Sequence, residues 1–169
     1  YQKRKTMSQL KTIKSKIHSL EGLKTQVDSW KKSGEKVVFT NGCFDIVHRG
    51  HIELLARTAD LGNRLIIGLN SDQSIQALKG GNRPIENEDS RAILLASLSF
   101  VDAVVLFSEE TPLNLINTLK PDILSKGGNY EIETIVGHKV VQENGGQVML
   151  IPFVDGFSST TIIDKIKNS

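Results

Sequence analysis

Short apolar runs recur along the chain at 37–39, 65–69, 103–107, 123–125 and 148–151, rich in Val, Ile and Leu and barely alternating with polar positions. A strand with one wet face alternates with period two, so runs of this kind predict parallel strands covered on both sides. Between them, apolar residues return at three- and four-residue spacing, which predicts helices over 50–61, 72–78, 87–99, 112–119, 131–144 and 159–167. Strands alternating with helices make βαβ units, and so an α/β fold: a doubly wound, five-stranded parallel sheet of Rossmann-like design. Ahead of it, Leu10, Ile13, Ile17 and Leu20, then Leu23, Val27 and Trp30, recur at helical spacing, with a break near Gly22 and a stop at Ser33-Gly34. The chain thus divides into an N-terminal helical arm over 7–33 and an α/β domain over 34–169. His18 and His138 fall on the helical segments without chemical company and read as surface residues.

Composition changes this picture little. A length of 169 residues suits one core, and a net charge of +2 argues against a dedicated nucleic-acid binder. Residues 1–36 hold ten Lys/Arg against three Asp/Glu, so the basic excess belongs to the arm, where it reads as a solvated helix face. Cys43 is the one cysteine, which excludes an internal disulfide and fits a reducing, cytoplasmic setting. No apolar stretch nears the roughly 18–20 residues that a bilayer requires, so no membrane association is expected.

Ligands of doubly wound sheets bind beyond the carboxyl ends of the strands, and there the chain places its chemistry. The first strand runs into Thr40-Asn41-Gly42-Cys43-Phe44-Asp45 and then His48-Arg49-Gly50-His51, two imidazoles three residues apart at the start of a helix. A helix N-terminus offers unpaired N–H groups and partial positive charge to an anion. Later strands are followed by Asn70-Ser71-Asp72 with Lys79-Gly80-Gly81-Asn82-Arg83, by Lys126-Gly127-Gly128-Asn129-Tyr130, and by Ser158-Ser159-Thr160-Thr161. Glycines admit backbone N–H groups to phosphate oxygens, and four hydroxyls exceed what one helix cap needs. Neither a G-x-x-x-x-G-K-[ST] loop nor a G-x-G-x-x-G turn is present, so neither a Walker-type NTPase nor a Rossmann dehydrogenase is expected. From the residues alone, Asp45 is either a metal or hydroxyl ligand or the cap of the helix at 50. Arg91 is either an anion ligand or the i, i+3 partner of Glu88, and Cys43 reads as a small packed side chain.

The H-x-G-H stretch with the serine/threonine block resembles the nucleotidylyltransferase superfamily. The further blocks Leu78-Lys79-Gly80, Arg83-Pro84, Lys126-Gly127-Gly128-Asn129-Tyr130 and Asp155-Gly156-Phe157 resemble the adenylyltransferases of ADP-heptose synthesis, collinear from about residue 20 to 167. The resemblance makes 34–169 a nucleotidylyltransferase domain. It implies transfer of AMP from ATP to D-glycero-β-D-manno-heptose 1-phosphate, giving pyrophosphate and ADP-heptose, a lipopolysaccharide-core precursor. It implies catalysis by His48, His51 and Lys79. The nucleotide would be bound by Thr40, Asn41, Gly42, Cys43, Phe44, Gly50, Lys126, Gly127, Gly128, Tyr130, Ser158, Ser159, Thr160 and Thr161. The acceptor would meet Asp45, Asn70, Asp72, Arg83 and Arg91. Mg²⁺ is implied as a companion of the phosphates, with no protein residue named as its ligand. The sequence departs from many members at Ile163, where they carry an arginine. Without a sugar-kinase half, the acceptor would come from a separate enzyme. Two rival readings remain: a cytidylyltransferase acting on glycerol 3-phosphate or a related alcohol phosphate, and a non-catalytic nucleotide-binding regulatory module. The apolar-striped arm packs either on its own domain or on a partner chain, and a homodimer is a further expectation.

Overall fold

The computed structural model describes residues 8–169. Its strands are β1 (Ile17–His18), β2 (Val37–Gly42), β3 (Arg64–Asn70), β4 (Ala103–Phe107), β5 (Ile123–Gly127) and β6 (Gln147–Ile151). They form one parallel sheet in the order β1-β4-β3-β2-β5-β6. The five expected strands are all present. The sixth, β1, corrects the reading of the arm as helix throughout, and with it the placing of His18 on a helix. Ile17 and His18 pair with Val104 and Val105, and the Val104 amide donates to the Lys16 carbonyl at 2.8 Å. The open edge of β4 takes up a segment whose apolar spacing suited a helix equally well.

The helices are α1 (Gln9–Lys14), α2 (Leu20–Lys32), α3 (Arg49–Ala59), α4 (Asp72–Lys79), α5 (Glu88–Ser97), α6 (Leu113–Leu119), α7 (His138–Glu143) and α8 (Ser159–Lys167). Side chains of Ser8, Ser19, Ser71, Asn87 and Ser158 accept from backbone N–H groups in the first turns of α1, α2, α4, α5 and α8. The arm breaks at 15–19 rather than at Gly22, which lies inside α2. The helix expected over 131–144 is a 3-10 turn at Ile132–Thr134 followed by α7. Gly137, at φ +88°, separates them where a Cβ would stand 2.6 Å from Ile116 Cδ1.

Both faces of the sheet are buried. Val37, Phe39, Ile66, Val105 and Leu124 meet Leu23, Val27 and Trp30 of α2, Leu115, Ile116 and Leu119 of α6, and Val141 of α7. Val38, Leu65, Ile67 and Val104 meet Leu55 of α3 and Ala92, Leu95 and Ala96 of α5, with Ile13 and Ile17 at the margin. Period-two side chains thus divide between two cores, which is why the strands read as continuous apolar runs. The arm packs on its own sheet, through Leu23, Val27 and Trp30 of α2. No helix of the described residues is long and apolar enough to cross a membrane.

Strand order reverses at β2: the chain runs outward through β3 and β4 on one side and through β5 and β6 on the other. A crevice therefore opens beyond the carboxyl ends of β2 and β5, between Gly42 and Gly127.

Candidate active site

Three adjoining cavities cover that crevice. The first, of about 400 Å³, runs from Asn41, Gly42, Cys43 and Lys126 past Tyr130 to Phe107, Glu110 and Thr111. The second, about 220 Å³, is central and is lined by residues 40–45 with His51, Lys79, Arg83, Lys126 and Ser159. The third, about 480 Å³, holds His48, Gly50 and His51 on one side and residues 153–160 on the other. The histidines and the hydroxyl turn, more than a hundred residues apart in sequence, line one cavity.

His48 stands at the N-cap of α3, and its backbone N–H donates to Nδ1 of His51 at 3.4 Å. The rings stack with centroids 3.8 Å apart, and the Phe44 ring meets His51 edge-on at 5.4 Å. Burial, then the cationic fields of His48 and Lys79, push His51 down to about 4, although Asp45 pulls the other way. Burial also lowers His48. His51 is therefore neutral at cellular pH, and a neutral ring whose Nδ1 accepts carries its proton on Nε2. It is a donor to an anion, not a base. Nδ1 of His48 is buried without a hydrogen-bond partner among the described residues.

The glycine between the histidines has a steric cause. A Cβ on Gly50 would lie 2.9 Å from the Phe157 Cβ and 3.0 and 3.1 Å from Cε1 and Nδ1 of His48. Gly50→Ala is expected to lower kcat about a hundredfold, because a displacement of the order of an ångström at a reacting centre has that effect. Helix stability should hold or improve, since alanine favours a helix by about 1 kcal/mol over glycine. Steady-state kinetics with thermal unfolding checks this; a variant as active as the parent would remove the steric account.

The loop between β2 and α3 is strained. Phe44 and Ile46 adopt φ of 47° and 55°, a left-handed conformation that costs non-glycine residues about 1–3 kcal/mol each. Three ties hold it. Asp45, 2 % exposed, accepts from Ile85 N (2.9 Å), Glu86 N (3.0 Å) and Arg83 Nε (2.7 Å). Burial would raise the Asp45 carboxyl, but those amides and the guanidinium outweigh it and hold it below the usual range. Ser159 Oγ donates to the Asp45 carbonyl at 2.5 Å. Arg91, fully buried, donates from Nη1 to the carbonyls of Cys43 and Asn70, both at 2.8 Å.

These contacts correct several readings. Asp45 does not cap α3, since His48 takes that position; it lines the central cavity, and both its carboxylate oxygens hold the 83–86 segment. Arg91 pairs with Asp72, from Nη2 to Oδ1 at 2.7 Å, rather than with Glu88, and neither Arg91 nor Asp72 lines any of these three cavities. Every nitrogen of Arg91 is bonded to protein, with Nε on the Glu86 carbonyl, so four of its five N–H donors are already engaged. Asn70 lines the first cavity, with its Nδ2 on Ser74. In the hydroxyl turn, Ser158 caps α8 at the edge of the third cavity, and Thr161, which bonds Ser158, lies outside the three cavities. The Thr160 hydroxyl alone of the four makes no hydrogen bond among the described residues, and it lines the third cavity. Gly128 (φ +112°) lies behind the cavity wall, where its Cβ would strike Phe153 at 2.8 Å. Phe153, 64 % exposed, and Leu54 complete the walls and were not singled out in the sequence. An aromatic two residues beyond the last strand was the available signal.

Lys79 and Lys126 line the central cavity and form no ion pair among the described residues. Burial lowers Lys126, whose ammonium lies 6.0 Å from the Tyr130 ring centroid. Cations without anions, a neutral imidazole donor and the start of α8 make the crevice a receptor for a polyphosphate. No group of three or more His, Cys, Asp or Glu among the described residues could hold a metal ion, and the Asp45 carboxylate is committed. The residues do not fit a protein cage for Mg²⁺.

The profile of the cytidylyltransferase-like family matches residues 39–165. The chain belongs to this family. Among relatives it is 51% identical over 152 residues to the bifunctional protein HldE of Geobacter metallireducens, covering 90% of this chain and 31% of that protein. It is 52% identical over 155 residues to the protein of the same name from Citrifermentans bemidjiense, covering 92% and 32%. The chain thus spans about a third of the length of these relatives. The structure of a lipopolysaccharide core biosynthesis protein from Thermoplasma volcanium superposes with a TM-score of 0.57 at 30% identity, over 72% of this chain and 98% of that one. A pantoate–β-alanine ligase from Francisella tularensis, at 15% identity and a TM-score of 0.58 over 90% and 78%, shares the fold alone. The family's match takes in both the imidazole pair and the hydroxyl turn of the third cavity.

Proposed function

We propose that the chain transfers the adenylyl group of ATP to D-glycero-β-D-manno-heptose 1-phosphate, releasing pyrophosphate and forming ADP-heptose. The observation that carries this is the convergence of His48, His51 and the 158–160 turn on one cavity beside Lys79 and Lys126. The relatives named HldE, and the neighbour named for lipopolysaccharide core biosynthesis, support the choice of acceptor.

A phosphate monoester has its second ionisation near pH 6, so the attacking oxygen is already anionic and no general base is needed. One O–Pα bond forms as the Pα–O bond to pyrophosphate breaks, with the electron pair leaving on pyrophosphate. The protein's work is to align two polyanions and to neutralise the charge that builds on them. Neutral His51 donates from Nε2, Lys79 and Lys126 lie along the phosphates, and Thr160 with the start of α8 takes the distal phosphates. Mg²⁺ would arrive with the nucleotide, held by phosphates and water. On this reading the chain acts as a cytoplasmic enzyme on small molecules, without nucleic-acid or membrane partners.

The test offers ATP or CTP with Mg²⁺ to the chain, with heptose 1-phosphate or glycerol 3-phosphate as acceptor, and weighs the products by mass spectrometry. ADP-heptose is expected. CDP-glycerol would replace the reading by the cytidylyltransferase one. Nucleotide binding with neither product nor exchange between pyrophosphate and ATP would mark a regulatory module.

A further inference from the structure

An in-line displacement brings the nucleophile in opposite the leaving group. If pyrophosphate departs among His48, His51 and Thr160 in the third cavity, and the α-phosphate occupies the central one, the acceptor enters from the first. That cavity is graded from end to end. Lys126, where it meets the central cavity, is an unpaired ammonium. Glu110 lines it away from the central cavity, whose lining it does not join. Of the two carboxylates that follow β4, Glu109 is bound into its own loop, accepting from Ser108 N at 3.0 Å and Asn114 Nδ2 at 3.2 Å. Glu110 makes no hydrogen bond or ion pair among the described residues. Between these ends, Phe107 and Ile135 form an apolar floor beside the half-exposed Tyr130 ring.

A cation at one end, a carboxylate at the other and apolar surface between them suit one class of ligand, a phosphate monoester of a long polyol. Its phosphate seeks the ammonium, its C–H faces lie on the floor, and its terminal hydroxyls donate to the carboxylate. A second phosphate at the far end would be repelled. Resting on the function proposed above, we propose that Glu110 is the specificity-determining residue for the acceptor: it accepts hydrogen bonds from the hydroxyls most distant from the phosphate and fixes the direction in which the sugar binds.

Glu110→Gln keeps the shape and removes the charge. Hydrogen bonds to a charged acceptor are worth about ten- to a hundredfold in affinity, so KM for heptose 1-phosphate should rise by about that factor. KM for ATP and the melting temperature should stay at parental values, because the side chain touches neither nucleotide nor core. With a pentose 1-phosphate, which lacks the distal hydroxyls, parent and variant should behave alike. Equal KM values on the heptose, or an equal penalty on heptose and pentose, would overturn the assignment while leaving the adenylyltransferase reading intact. A parent chain that accepts glycerol 3-phosphate and no sugar phosphate would overturn both.

Discussion

Replacing His51 by alanine is expected to lower kcat by about two to three orders of magnitude while nucleotide Kd changes far less, as when other preorganised transition-state donors are removed. His48→Ala should behave in the same way. The expectation follows from protonation state. Held down to about 4 by burial, His51 meets the triphosphate as a neutral donor, with its Nδ1 occupied by the His48 amide. An anion arriving nearby favours the charged ring and raises its pKa, so the interaction grows as negative charge accumulates on the phosphates. Histidine NMR tests the premise directly: in the free protein His51 should titrate near 4, and in the nucleotide complex at a higher pH. A free-protein value near 6.5 would contradict the burial of His51, a value above 8 would falsify the neutral-donor account, and equal losses in binding and turnover would contradict a transition-state role. The same shift has a consequence for stability. The folded pKa lies below the unfolded one, so the unfolded chain binds the proton first as pH falls. The His51 contribution is complete above about pH 6.5 and is lost progressively toward pH 4.

How far the molecule could be read from its residues depended on how locally each feature is encoded. The strands of the sheet interior announce themselves because two buried faces demand unbroken Val, Ile and Leu. β1 does not, since two residues carry no period and Ile17 fits a helical stripe as well as a strand edge. The imidazole pair, Lys126 and Thr160 were legible because each lies at or beyond the end of a strand, and Lys79 because it closes the short helix after one; the topology gathers these ends at one place. The charged residues divided differently. Asp45, Asp72 and Arg91 sit among the motifs, yet Arg91 bonds Asp72 and three backbone carbonyls, and Asp45 bonds Arg83 and two backbone amides. Arg91 shares a helix face with Leu95, four residues on and fully buried, which was the one local sign that it points inward. The Glu110 carboxylate and the Phe153 ring escaped notice because nothing in sequence ties them to the histidines; only the sheet does.

Arg91→Lys or Arg91→Met is expected to destabilise the fold by about 3–5 kcal/mol, because the carbonyls of Cys43, Asn70 and Glu86 lose donors supplied by a fully buried guanidinium. In a chain of this size that lowers Tm by roughly 10 °C. The guanidinium ties three segments to its own helix: Nε meets the Glu86 carbonyl at 2.9 Å, Nη1 meets Cys43 and Asn70, and Nη2 meets Asp72. Lysine keeps the charge but lacks the planar fork, so it cannot serve three carbonyls and a carboxylate together. The loss should concentrate where strain is stored. With the Cys43 carbonyl released, Phe44 and Ile46 are free to leave their left-handed conformations, and the Phe44 ring would move off His51. Activity measured well below the new Tm should therefore fall further than the unfolded fraction explains, with the deficit in kcat. Ser159→Ala removes a second tie on the same loop, from Ser159 Oγ to the Asp45 carbonyl, and should reproduce a smaller part of that deficit with little change in Tm. An exposed arginine on a helix would cost within about 0.5 kcal/mol on replacement. A lysine variant that melts and turns over like the parent would mean that the strained loop holds itself, and that the burial of Arg91 serves something other than the active site.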